Sequence, residues 1–64
     1  MDKESRILKS IMERYGSLST LKLAMYEDTD TVLVNLEDDL NYTDDDSEEI
    51  LEEEILSYIH KILG

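Results

Sequence analysis

The amino-acid sequence predicts one small α+β domain that spans residues 1–64. Apolar residues recur at helical spacing near both ends of the chain, whereas those between residues 20 and 36 alternate with other residues. A length of 64 residues leaves room for a single domain. We therefore expect an N-terminal helix, an antiparallel β-hairpin and a C-terminal helix, with both helices on one face of a small sheet.

Residues 2–16 have the pattern of a complete amphipathic helix. Asp2 is a favourable N-cap, and Gly16 suits the left-handed residue that follows a helix. The residues that fall on the apolar face at a period of about 3.6 residues are Ile7, Leu8, Ile11, Met12 and Tyr15.

Two stretches in the middle of the chain have the alternation of half-buried strands, namely residues 20–26 and 31–36. Residues 27–30 are polar and predict the turn between them. Residues 40–42 are an alternative third strand. The alternating apolar residues are Leu21, Leu23, Met25, Val32, Val34 and Leu36.

The last third of the chain predicts the second helix. Thr43 followed by three aspartates resembles a capping box, and acidic residues at a helix start suit the helix dipole. His60 would lie in the final turn, where positive charge is favourable. The main apolar face consists of Leu51, Ile55, Tyr58, Ile59 and Ile62.

The residues that common catalytic and metal sites require are missing or isolated. The chain has one His and no Cys, so a Ser–His–acid set would have to use His60, and the sequence places no Ser beside it. There is no glycine-rich phosphate loop, and the aspartates do not match the calcium loop of an EF-hand, which needs a central glycine. We therefore expect no enzymatic activity, no cofactor and no dedicated metal site.

Composition disfavours insertion into a membrane, secretion and direct binding of nucleic acid. The longest apolar runs are too short for a membrane span, and the N-terminal residues lack the apolar region of a secretory signal. We expect a cytoplasmic location. Direct binding of nucleic acid is disfavoured because 17 acidic residues oppose 6 basic ones, for a net charge of −11.

The charge is divided unevenly along the chain. Residues 1–26 carry a net charge of +2 and residues 27–64 a net charge of −13. As a helix, the eight acids from Asp44 to Glu54 would present one charge per about 1.9 Å, close to the about 1.7 Å of duplex DNA. This density favours a functional acidic surface that binds a basic partner, and the alternative is a solvated face that keeps the protein soluble.

Two apolar residues within the acidic surface have the pattern of interface anchors. Ile50 lies off the main apolar face of the predicted helix, and Tyr42 lies between acidic clusters. The alternatives are that Ile50 covers the edge of the hairpin and that Tyr42 folds back onto the core. The predicted partner-binding residues are Asp28, Asp30, Asp38, Asp39, Tyr42, Asp44, Asp45, Asp46, Glu48, Glu49, Ile50, Glu52 and Glu53.

Leu56 and Leu63 widen the apolar arc of the second helix beyond what one small sheet can cover. A homodimer through this flank would supply the missing core of a very small domain. Contact with the first helix is the alternative.

In size, charge and order of predicted elements, the chain resembles small acidic inhibitor proteins encoded by phages and plasmids, a class that includes anti-CRISPR proteins and DNA mimics. The resemblance covers the whole length without a shared motif, so it transfers no site residue. It implies a non-enzymatic protein that inhibits a nucleic-acid-binding protein by presenting carboxylates to its basic groove. For a phage-encoded protein, the expected cytoplasmic location is the host cytoplasm. The alternatives are a small homo-oligomeric adaptor and an antitoxin-type or immunity-type partner of a basic toxin.

Overall fold

The computed structural model describes residues 2–42 and 49–64. They form three helices, α1 (Lys3–Tyr15), α2 (Leu18–Asn41) and α3 (Glu52–Leu63), and each helix contacts the other two. None of the described residues is in a strand. The predicted α+β class, with its hairpin and its helices on one face of a sheet, is therefore wrong, and the described chain is a small helical bundle.

The prediction of a helix here, α1, is confirmed, including both of its ends, but Leu8 and Met12 of its predicted apolar face are exposed. The Asp2 carboxylate accepts a hydrogen bond from the Ser5 amide at 2.7 Å, which satisfies an amide of the first turn. Gly16 adopts a φ of 83°, and its amide donates to the Met12 carbonyl at 3.0 Å. A glycine fits this position because residues with a side chain rarely adopt a left-handed backbone.

Both predicted strands lie within α2, and residues 40–42 form its end rather than a third strand. The alternation placed Leu23 and Val34 on buried faces, yet both are exposed in the helix. Several apolar residues of this segment fit the period of a strand and that of a helix equally well, so the alternation could not separate the two. The residues of α2 that are buried are Leu21, Val32, Leu33, Leu36 and Leu40.

A break at Asp28 divides α2 within the segment that was predicted as a turn. Asp28 has a non-helical backbone, with φ −161° and ψ 86°. The Thr29 hydroxyl donates to the Met25 carbonyl at 2.7 Å, and Asp28 accepts a hydrogen bond from the Thr31 amide at 3.1 Å. Asp28 therefore acts as the N-cap of the second half of α2, and the chain does not reverse here between two strands.

The C-terminal helix is present but begins later than the sequence predicts. Its predicted start at residues 43–46 lies outside the described residues, whereas residues 49–51 are described and are not helical. Leu51 is the N-cap of α3. The first turn contains three glutamates and the last turn contains His60 and Lys61, as the helix dipole favours.

The hydrophobic core lies where the three helices meet. Ile50 belongs to it although it precedes α3, since its side chain is fully buried. The half-buried Tyr58 and Ile62 pack against this core. The buried apolar residues are Ile7, Ile11, Leu21, Val32, Leu33, Leu36, Leu40, Ile50, Ile55 and Ile59.

Candidate functional site

Basic side chains of α1 form polar contacts with the other two helices. The Lys3 ammonium lies 3.0 Å from the Glu54 carboxylate of α3. The Arg6 guanidinium donates to the Leu40 carbonyl of α2 at 2.9 Å. These basic side chains of α1 therefore bind groups of the same molecule, one carboxylate and one main-chain carbonyl.

Arg14 and Asp39 form the most regular of these pairs. Two guanidinium nitrogens of Arg14 donate to the two carboxylate oxygens of Asp39, at 2.7 and 2.9 Å. This hydrogen bonding lowers the pKa of Asp39 and raises that of Arg14. Burial raises the pKa of the neighbouring Tyr15 hydroxyl. Asp39 was predicted to bind a partner, but in the structure it joins α2 to α1.

Asp28 likewise has a structural role that explains its position. In addition to its bond with the Thr31 amide, its carboxylate accepts a hydrogen bond from the Thr31 hydroxyl at 2.6 Å. These bonds lower the pKa of Asp28, as the bonds from Ser5 do for the other N-cap, Asp2. The ionised carboxylate of Asp28 thus stabilises the start of a helix segment.

Asn41, at the end of α2, fixes the segment that leads into α3. Its side-chain amide donates to the Ile50 carbonyl at 2.8 Å and its side-chain oxygen accepts from the Ile50 amide at 2.9 Å. The same amide nitrogen donates to the Glu37 carbonyl at 3.0 Å. We call this arrangement the Asn41 bracket. It keeps residues 42 and 49, which flank the segment that the structure does not describe, close to one another.

Acidic side chains lie on one side of an exposed tyrosine beside this bracket, and on its other side Tyr42 lines a cavity with Arg6, Lys9 and Arg14. A groove is lined by Glu37, Asp38, Asn41, Tyr42 and Glu49, and the Tyr42 side chain is 88% exposed. None of the three acids Glu37, Asp38 and Glu49 forms an ion pair with another described residue. We call Glu37, Asp38, Tyr42 and Glu49 the acidic face. The structure thus places three acidic side chains in one groove with the Tyr42 ring, and two of them, Asp38 and Glu49, were predicted to bind a partner.

Ile50 is the clearest error among the predicted site residues. It was expected to be an anchor on the surface, whereas its side chain is 0% exposed and lies in the core. The spacing of about 1.9 Å per charge for residues 44–54 assumed one continuous helix. This assumption is wrong, because residues 49–51 are not helical. A continuous helical row of acids is therefore not the basis of an acidic surface here.

The other predicted residues divide into three groups. Asp30, Glu52 and Glu53 are exposed, with the two glutamates in the first turn of α3. Leu56 and Leu63, the predicted dimer contact, are half-buried and pack against the core of their own chain. The remaining predicted residues lie outside the described residues: Asp44, Asp45, Asp46 and Glu48.

Sequence reasoning missed Asn41 and Glu37. Glu37 begins a run of three acids with Asp38 and Asp39, which is a visible signal. Asn41 offers no comparable signal, because its role depends on the approach of Ile50 across a stretch of eight intervening residues.

The described residues contain no cluster of three or more side chains suited to hold a metal ion. His60 is exposed in the last turn of α3. Across the described helices, none has the length and apolar character needed to cross a membrane.

Comparison with known proteins yields no relative: no family model, no curated protein and no solved structure matches the chain.

Proposed function

We propose that the chain is a non-enzymatic acidic binding protein of the cytoplasm, which inhibits a nucleic-acid-binding protein by occupying its basic groove. The observation that carries this proposal is the acidic face. Its carboxylates have no ion-pair partner among the described residues, although several other acids of the bundle do. The face therefore has negative charge to offer to another molecule.

The chemistry of the acidic face suits arginine and lysine side chains. An aromatic ring attracts a cation placed over its plane, and adjacent carboxylates accept charge-assisted hydrogen bonds from it. Tyr42 supplies the ring, and Asp38 and Glu49 line the same groove. Exposed tyrosines are also enriched among the residues that dominate binding energies at protein interfaces.

The rest of the chain adds long-range attraction for a basic surface. Between Tyr42 and Glu49 the sequence contains four further acids, Asp44, Asp45, Asp46 and Glu48. The Asn41 bracket holds both flanks of this segment beside the acidic face. With a net charge of −11, the protein should associate fastest with a strongly basic partner, because complementary fields steer encounters. A nucleic-acid-binding groove is such a surface.

Two equally exposed tyrosines provide a matched test of the acidic face. Tyr42 is 88% exposed and Tyr26 is 90% exposed, so replacing either removes little internal packing. We expect Tyr42→Ala to reduce, several-fold, the amount of partner captured from a lysate of the natural host at low salt, while Tyr26→Ala leaves it unchanged. The captured protein, identified by mass spectrometry, should bind nucleic acid. If the two variants captured equal amounts of the partner, the acidic face would not be the binding surface and the proposal would be wrong.

A further inference from the structure

The first half of α2 has an outward face with two exposed apolar side chains. Leu23 is 60% exposed and Tyr26 is 90% exposed. They lie three residues apart and so are neighbours on the helix surface. Leu21, Ala24 and Met25 of the same half pack into the core, which leaves the outward face without a covering element among the described residues.

This face lies in the longest part of the sequence that has no acidic residue. Between Glu13 and Glu27 the chain contains Arg14 and Lys22 and no Asp or Glu. Two copies of a protein with a net charge of −11 repel each other most where their acids meet. Contact through this stretch therefore brings fewer acids together than contact through residues 27–54 would.

The charges beside the apolar pair are complementary between copies. Lys22 precedes Leu23 and Glu27 follows Tyr26, so a positive and a negative side chain lie on opposite edges of the apolar stripe. Both are exposed, and neither forms an ion pair within the described chain. In a parallel pair of helices, residues with this spacing of five form ion pairs across the contact. A two-fold arrangement makes that contact twice.

We infer that a second copy of this chain docks here, in a parallel homodimer through the outward face of the first half of α2. Leu23 and Tyr26 form the apolar centre, and Lys22 of each copy pairs with Glu27 of the other. This surface is separate from the acidic face and goes beyond the proposed function. It also differs from the contact through Leu56 and Leu63 that the sequence indicated.

Sedimentation equilibrium over a range of protein concentrations tests the dimer. We expect the wild-type chain to dimerise, Leu23→Glu to remain a monomer, and Lys22→Glu to weaken the dimer several-fold. The double variant Lys22→Glu/Glu27→Lys should restore the wild-type dissociation constant, because the exchange regenerates both ion pairs. Tyr42→Glu is the control for Leu23→Glu, since it adds the same charge at an exposed side chain outside the proposed contact, and it should leave the dimer unchanged.

Circular dichroism of each variant checks that it is folded. If Leu23→Glu fails to fold, the comparison of Lys22→Glu with the double variant Lys22→Glu/Glu27→Lys still tests the contact. A wild-type chain that is a monomer at every concentration overturns the inference. A dimer that survives Lys22→Glu unchanged, or that the double variant does not restore, overturns it as well. Because Tyr42 is outside this contact, loss of partner capture by Tyr42→Ala bears on the proposed function alone.

Discussion

Replacement of Ile50 by Ala is expected to lower the free energy of unfolding by about 2–5 kcal/mol. The side chain is fully buried in the core cluster although it lies outside the helices. Shortening it leaves a cavity where the segment that precedes α3 meets α2. Such a loss is a large fraction of the about 5–15 kcal/mol that stabilises a typical small protein.

The neighbouring leucine provides the control for Ile50. Leu51 is 42% exposed, so Leu51→Ala should cost far less. Urea unfolding followed by circular dichroism measures both changes. If Ile50→Ala left the unfolding midpoint unchanged and instead shortened the lifetime of a complex with a partner, Ile50 would be a surface anchor and its position in the core would be wrong.

Replacement of Asn41 by Ala is expected to cost about 1–3 kcal/mol, because it removes the partners of two main-chain groups of Ile50. The same change releases Ile50 and the adjacent Glu49 from the end of α2. A contact residue whose position must be fixed on binding lowers affinity, so Asn41→Ala should also weaken partner capture under conditions where the variant remains folded.

Comparison with Tyr42→Ala separates the effect of Asn41→Ala on stability from its effect on partner capture. Tyr42 is the adjacent residue in the chain but is largely exposed, so its replacement should weaken capture while changing stability little. The unfolding midpoint and the captured amount, measured on both variants, distinguish these outcomes. An Asn41→Ala variant as stable as the wild type would show that the Asn41 bracket does not hold Ile50 in solution.

The ends of α1 could be predicted from the sequence because their determinants are local. The cap at Asp2 depends on an amide three residues away, and the left-handed conformation of Gly16 depends on the glycine itself. The core residues Ile55 and Ile59 of α3 could be predicted for the same reason, since their spacing places them on one helix face.

The class of α2 could not be predicted from the alternation of its apolar residues. Leu33 is buried and Val34 is exposed, which is the reverse of what a strand with Val32 and Leu36 on its inner face requires. Tertiary packing decides between the two periods, and local propensity does not override it. The polar residues at 27–30 do mark a real irregularity, but the capping bonds of Asp28 accommodate it within a helix.

The acidic face was only partly accessible from the sequence. The exposure of Tyr42 agrees with the prediction of a surface anchor, and its carboxylate neighbours Asp38 and Glu49 were among the predicted residues. The sequence does not indicate that Asp39 forms an ion pair with Arg14 of α1 whereas Asp38 lines the groove. The difference arises because only Asp39 lies within ion-pair distance of a guanidinium of α1. The burial of Ile50 could not be foreseen either, because it depends on packing against the three helices, which no local pattern encodes.

Competition between the protein and nucleic acid for the captured partner tests the central proposal most directly. A fluorescent nucleic acid is first bound to the partner, and its anisotropy is followed as this protein is added. We predict that the wild-type protein displaces the nucleic acid and that Tyr42→Ala requires a several-fold higher concentration, whereas Tyr26→Ala behaves as the wild type. A ternary complex in which the partner holds both the nucleic acid and this protein, with neither binding weakened, would contradict the proposal.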